Sequence, residues 1–271
     1  VTDVRVFARG LEHPETVAIG PDHALYAGTA RGGYQEPGPV VRIDPDTGDW
    51  RPFADTGGRV LGITAASSGL LVCCDALHRA LLWLDPQGRV RRRVDTAQGR
   101  PLMSPNGCIA DRYGGVWFTD SGTATAGEPT GAVGYAPPHG DAVIAARNLV
   151  FPNGIGLSPD GSLLYTTLTR DETLLCHEVH GPGRLGTPWT LNRGLGTGPD
   201  GLSVTPEGEV VVAVTRSSRV CAVSPTGEAA VLLEDPGLLH MPSHVALHRR
   251  RLLVPSLFGD TIAVLDRGSG R

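Results

Sequence analysis

The sequence contains no lysine; every one of its 24 basic residues is arginine. Schiff-base chemistry through a lysine amine is therefore excluded. With a net charge of −4 and no extended basic run, the chain offers no electrostatic case for nucleic acid or an anionic membrane surface. Long hydrophobic runs are also missing, and the longest apolar segments fall far short of membrane-spanning length. No stretch gives ten residues of clean helical period, so helix is expected to be minor. There is no G-x-S-x-G and no Ser/His/Asp order that stands out, which leaves a serine-nucleophile hydrolase with little support. The five cysteines are odd in number and sit mostly inside apolar runs. They read as buried thiols in a reducing compartment, and the expected location is cytoplasmic. No signal peptide is visible, although the chain begins at Val1 rather than at a methionine.

What the sequence does have is a repeated proline followed by a polar residue. Glu15 opens "ETVAIGPDHALYAGT", Asn106 "NGCIADRYGGVWFTD", Asn153 "NGIGLSPDGSLLYTT", Asp200 "DGLSVTPEGEVVVAV" and Ser243 "SHVALHRRRLLVPS"; they follow Pro14, Pro105, Pro152, Pro199 and Pro242. A second apolar run begins about ten residues after each of these anchors. The same offset places a degenerate sixth anchor at Val60 or Leu61 in "RVLGITAASSGLLVCC". Six short-strand repeats with a period of roughly 43 to 47 residues are the signature of a β-propeller.

Within each period an apolar strand, a Gly/Asp/Pro turn, a second apolar strand, a third and a weaker fourth follow in order. The third strands read "VVRID", "ALLWLD", "TLLCHEV" and "RVCAVS", and the fourth "WRPFAD" or "AAVLLED". The last copy runs out after "DTIAVLD", while "VRVFA" is left over at the start. The expected fold is all-β: one six-bladed β-propeller over residues 1–271 with four-stranded antiparallel blades, the ring closed by the N-terminal strand. A monomer or weak dimer is expected.

In a propeller the innermost strands run beside a central channel, so the residue that opens each one lies at one end of it. Glu15, Asn106, Asn153 and Asp200 should converge there, two carboxylates and two amides with no Cys or His among them. Hard oxygen donors of this kind suit Ca²⁺, and less strongly Mg²⁺ or Mn²⁺, with Zn²⁺ a further possibility. The competing reading makes the anchors solvated polar residues whose Pro and Gly neighbours serve only turn geometry. For Asn153 the two readings combine, a turn residue that also ligates.

The motifs "FPNGIGLSPDGSLLYTT", "SPNGCIADRYGGVWFTDSG", "GPDGLSVTPEGEVVVA" and "PETVAIGPDHALYAG" resemble the SMP-30/gluconolactonase/LRE-like (regucalcin-type) family over essentially the whole chain. That group is related to paraoxonases and diisopropylfluorophosphatases, and more distantly to strictosidine synthases. The resemblance implies a six-bladed propeller with one divalent cation, usually calcium, at the channel mouth. It implies Glu15, Asn153 and Asp200 as ligands, with Asn106 a further ligand or substrate-orienting group. The chemistry implied is hydrolysis of a lactone or related ester on a small-molecule substrate, the ion polarising the carbonyl and Asp200 taking a proton from water.

The chain also departs from the family pattern. Sugar-lactone members commonly carry an Arg two residues before the position of Asn106, where this chain has Ser104 beside Met103. The phosphotriesterase-like branch carries a His at the place of Leu257. The first difference turns the expectation away from a polyhydroxylated sugar acid, and both together point to a different substrate, such as a specialised metabolite. Loops 30–38 and 121–134 should overhang the mouth and bring Tyr34, Glu36 and Glu128 near it. His13, His240 and His244 flank the first and sixth anchors, and His244 is a candidate substrate contact. Two other classes remain open: a non-hydrolytic cyclase or isomerase on the same scaffold, and a binding propeller without chemistry.

Overall fold

The computed structural model describes residues 4–123 and 129–266. The described residues form six small antiparallel sheets arranged as a six-bladed β-propeller, with a separate two-stranded ribbon of Thr96–Ala97 and Arg100–Pro101. Blade one comprises Thr16–Ile19, Leu25–Gly28, Val40–Ile43 and Trp50–Ala54, counted outward from the axis. Blades two, three and five follow the same order from Val60–Ala65, Pro105–Ala110 and Pro199–Val204. Blade four begins at Pro152–Leu157 and adds a short strand, Arg184–Leu185, to its third. Blade six runs Ala246–His248, Arg251–Pro255 and Thr261–Asp266. Its outer strand is Val4–Arg9 from the start of the chain, paired antiparallel to Thr261–Asp266. The N-terminal strand thus closes the ring and leaves no open edge between first and last blades. The helical content among the described residues is a single 3₁₀ turn, Thr215–Ser217.

The second and third strands are β-branched and leucine-rich because both of their faces are covered by neighbouring blades. Leu71–Asp75, Ala80–Leu84 and Val210–Val214 are buried at every position. The outer strands meet solvent and are arginine- or alanine-rich, as in "VRRRV" at Val90–Val94. The apolar core falls into six clusters, one at each interface between blades. Side chains such as Leu81, Leu164 and Leu174 are fully enclosed there, each worth about 1.5–3 kcal/mol of burial. All five cysteines are buried free thiols.

One local expectation needs correction. Pro152-Asn153-Gly154 is no turn; it opens an innermost strand. The turn lies one residue earlier, where His13, Phe151, Gly198 and Met241 take positive φ values of 49°, 53°, 79° and 58°, each immediately before an anchor proline. For the three non-glycine residues this is a strained conformation. Four innermost strands then carry a register shift at the anchor itself, at Val60/Gly62, Pro105/Cys108, Pro152/Ile155 and Pro199/Leu202. A bulge re-aims the side chain it carries, so here the anchors leave the pleat of their own strand.

The glycines after Asn106, Asn153 and Asp200 serve close approach. A Cβ on Gly154 would lie 2.3 Å from the Asp200 carbonyl oxygen, and one on Gly107 2.5 Å from that of Asn153. The backbones of these successive anchors are therefore pressed against one another, which narrows this side of the ring at this end of the channel.

Candidate functional site

Glu15, Leu61, Asn106, Asn153, Asp200 and Ser243 surround one small chamber, with the first strand residues of each blade as its wall. The degenerate second anchor is thus Leu61, not Val60. The chamber holds about 20 Å³, room for roughly one water-sized occupant. Asn106, Asn153 and Asp200 are each only 7% exposed.

The chamber is held from outside by hydroxyls. Thr119 Oγ1 donates to the Asn153 carbonyl oxygen at 2.6 Å and accepts from the Gly107 amide at 2.8 Å. Thr167 Oγ1 does the same between the Asp200 carbonyl oxygen, at 2.6 Å, and the Gly154 amide, at 2.8 Å. Ser121 Oγ donates to the Pro152 carbonyl oxygen and accepts from Asn106 Nδ2, an arrangement that leaves the Asn106 amide oxygen for the chamber. Ser243 Oγ donates to the Glu15 carbonyl oxygen at 2.7 Å. Each hydroxyl comes from one blade and grips the anchor of its neighbour.

Two carboxyl groups in so small a space disturb each other. Burial pushes the Asp200 carboxyl well above the ordinary carboxylate range, and the charge of Glu15 adds to the rise. A hydrogen bond from the Asn153 side chain and the charge of Arg59 oppose it. Burial raises Glu15 as well, against the charge and hydrogen bond of Arg59. Arg59 Nη2 lies 3.0 Å from Glu15 Oε2, both side chains being mostly buried. Nothing in the repeat pattern pointed to Arg59, because it precedes the degenerate anchor; its nearness to Leu61 was the one available signal.

The donor set fits a divalent cation. Two carboxylates and two amides offer hard oxygens, and Asp200 lies buried with less than one full counter-charge. Among the described residues no three His, Cys, Asp or Glu side chains form a cluster able to hold a metal. A cation here therefore depends on the Asn106 and Asn153 amide oxygens to complete its shell.

The other expected residues sit around this chamber. Tyr34 packs edge-on against Phe258, centroids 4.8 Å apart, and lies over the Arg59 guanidinium at 5.6 Å. Ser104 and Met103 give their amides to the Asp120 carboxylate at 2.6 and 2.8 Å, with the Met103 side chain exposed on the rim. His244 lines the chamber wall, partly buried with Nδ1 enclosed and unpartnered, and desolvation pulls its pKa down to about 4. His13 donates from Nδ1 to the Leu257 carbonyl oxygen at 2.8 Å. His240 and Glu36 are exposed. Glu128 lies outside the described residues.

Below the chamber the channel widens to about 270 Å³ between apolar residues such as Val17, Ile109 and Leu202, with His244 at the junction. A larger cavity of about 380 Å³ lies on the opposite face, between blades one and two, lined by Asp22, Tyr26, Arg42 and Phe53. A similar groove of about 230 Å³ recurs between blades three and four. These grooves follow from blade spacing and contain none of the anchors.

The SMP-30/gluconolactonase/LRE-like region model matches residues 36–257. Protein strictosidine synthase-like 13 of Arabidopsis thaliana is 31% identical over 192 residues, covering 66% of this chain and 45% of that protein. A gluconolactonase of Zymomonas mobilis is 27% identical over 197 residues, covering 65% of this chain and 54% of that protein. The chain thus spans about half the length of these curated relatives. Among solved structures, a gluconolactonase from Xanthomonas campestris superposes with a TM-score of 0.84 at 21% identity, covering 98% of this chain and 89% of that one. A calcium-binding regucalcin from Agrobacterium tumefaciens gives 0.77 at 16% identity, covering 97% and 93%.

Proposed function

The chain belongs to the SMP-30/gluconolactonase/LRE-like family, and from that premise we propose that it is a divalent-metal-dependent hydrolase of a lactone or related ester. The observation that carries this reading is the convergence of the buried Asp200 carboxyl and the mostly buried Glu15 carboxyl with the Asn106 and Asn153 amides on one water-sized chamber at the channel mouth. These four residues would hold the cation, most simply Ca²⁺. Bound there, it would supply Lewis acidity toward a carbonyl oxygen and compensate the buried negative charge.

The chain's own groups then divide the work. Asp200, whose carboxylate form is favoured by the Asn153 hydrogen bond and by any nearby cation, takes a proton from attacking water. Asn106, its amide nitrogen tied to Ser121, orients a substrate oxygen. The hydroxyls of Thr119, Thr167, Ser121 and Ser243 keep the anchors from shifting as charge develops, the preorganisation on which electrostatic catalysis depends. The substrate is a small molecule admitted at the rim. Five buried free thiols accord with a reducing compartment, and we place the protein in the cytoplasm. Among the described residues no helix is long and apolar enough to cross a membrane.

A second reading, a non-hydrolytic cyclase or isomerase, draws support from the 31% identity to a strictosidine synthase-like protein and from Arg59, a fixed cation already paired with Glu15. The two are separated by turnover of a lactone and aryl-ester panel with EDTA-treated protein and Ca²⁺, Mg²⁺, Mn²⁺ or Zn²⁺ returned singly. Cation-restored hydrolysis supports the first reading. Cation binding with every lactone and ester left intact favours the second. No cation binding at all, with the anchors replaceable, would leave a binding propeller.

A further inference from the structure

Resting on the reading of the mouth as a cation site for ester or lactone hydrolysis, we propose that Arg59 is its specificity-determining residue: released from Glu15 when the cation binds, it receives an anionic group carried by a substrate with an aromatic or apolar body.

Among the described residues, Glu15 and Asp200 are the only acids lining the chamber. A divalent ion held by these residues would neutralise both carboxylates. Arg59, which in the cation-free protein answers Glu15 at 3.0 Å, is then left as a mostly buried cation without that partner. A guanidinium cannot shed its proton, and an uncompensated buried charge is costly. A carboxylate arriving with the substrate relieves that cost through paired N–H donors in the planar geometry that arginine offers.

Geometry supplies the second line. Phe258, Tyr34, Arg59 and Glu15 form one continuous series of contacts from rim to chamber, through an edge-on ring pair at 4.8 Å, a ring-over-guanidinium contact at 5.6 Å and the 3.0 Å ion pair. Tyr34 comes from the loop between the second and third strands of blade one, and Phe258 from the corresponding loop of blade six. The series therefore lies over the mouth and not at its back. Leu77, Met103 and Val150 are also exposed on connections at this face. Large apolar side chains at the rim with one arginine beneath them match an arylalkyl or similar apolar body carrying an acid. They match a polyhydroxylated sugar poorly, since such a ring asks for many polar partners.

The test uses the whole chain of 271 residues and two probes that carry no ester or lactone bond, 3-phenylpropanoate and its neutral amide, titrated calorimetrically into Ca²⁺-loaded wild type and Arg59→Gln. Ca²⁺ affinity is measured separately on cation-free protein. Arg59→Gln should bind Ca²⁺ at least fivefold more tightly, because the competing guanidinium is gone. It should lose at least tenfold in affinity for 3-phenylpropanoate with the amide unchanged, and Arg59→Lys should recover part of that loss. Phe258→Ala, a change at an exposed side chain, should weaken both probes equally. Equal loss of the two probes in Arg59→Gln, or unchanged Ca²⁺ affinity, overturns the proposal while the cation site stands. A wild-type protein that takes up no cation overturns both.

Discussion

Thr167 Oγ1 of blade four donates to the Asp200 carbonyl oxygen of blade five at 2.6 Å. Thr167 Oγ1 also accepts from the Gly154 amide at 2.8 Å, so one hydroxyl fixes two consecutive anchors. Thr119 repeats the arrangement one blade earlier. The ring of anchors is thus set by side chains that never face the chamber.

Replacing Thr167 by valine keeps the shape and removes the hydroxyl, leaving a buried carbonyl and a buried amide without their partner. Unsatisfied groups of this kind cost about 1–3 kcal/mol. The expected result is a fall in melting temperature of roughly 4–8 °C for a loss near 2 kcal/mol, with cation affinity reduced as well. Serine at the same position should restore most of both. Thermal melts of the cation-free proteins decide the matter, and a valine variant as stable as wild type would show that the hydroxyl contributes nothing.

Asn153→Ala removes a candidate ligand from a strand start whose backbone is held independently by Thr119. The variant should fold. A cation bound only by the folded state at 100 times its Kd adds about 2.7 kcal/mol. Wild type should therefore gain roughly 5–10 °C on addition of Ca²⁺, and Asn153→Ala little or none. An identical gain in both proteins would remove Asn153 from the shell.

The propeller was readable in the sequence because proline-anchored copies recur at a nearly constant interval, and each blade needs the same strand and turn chemistry. Closure by Val4–Arg9 was readable for a related reason, one strand missing at the end and one spare at the start. The turn reading of Pro152-Asn153-Gly154 failed because P-N-G has the same composition whether glycine supplies positive φ or only the absence of a Cβ. Here it is the second, and the positive φ belongs to Phe151. Arg59 and the threonine clamps were not readable. Their roles depend on which side chain of one blade faces the next, and a period of about 45 residues does not encode that distance.

Asp200→Asn should stabilise the cation-free protein near neutral pH. The folded-state pKa of Asp200 is raised by burial and by Glu15, so the folded chain holds this proton where the unfolded chain has lost it. Stability from this group is complete below the unfolded carboxylate pKa and declines as pH rises toward the folded value. Asparagine cannot ionise, and the variant should lose that decline. Parallel melts from pH 5 to 8 in EDTA would show the two curves diverging with pH; parallel curves would mean that Asp200 is already compensated.

His244 works in the opposite direction, at acid pH. Its ring is partly buried at the wall of the chamber, with Nδ1 enclosed and unpartnered, and desolvation lowers its pKa to about 4. The folded protein therefore keeps this ring neutral while the unfolded chain takes up a proton below its ordinary value near 6.5. Stability from this group is whole above about pH 6.5 and is lost as pH falls from there toward 4, where the folded ring also protonates. The full difference amounts to about 3 kcal/mol at most, taking about 1.4 kcal/mol for each pH unit. His244→Gln should flatten the acid limb of the stability curve by up to that amount while changing little at pH 8 beyond a constant packing cost. Urea unfolding at pH 8, 6.5, 5.5 and 4.5 measures both proteins on one scale. If the difference between them is the same at all four values, the ring titrates as it does in the unfolded chain, and its neutrality does not arise from the fold.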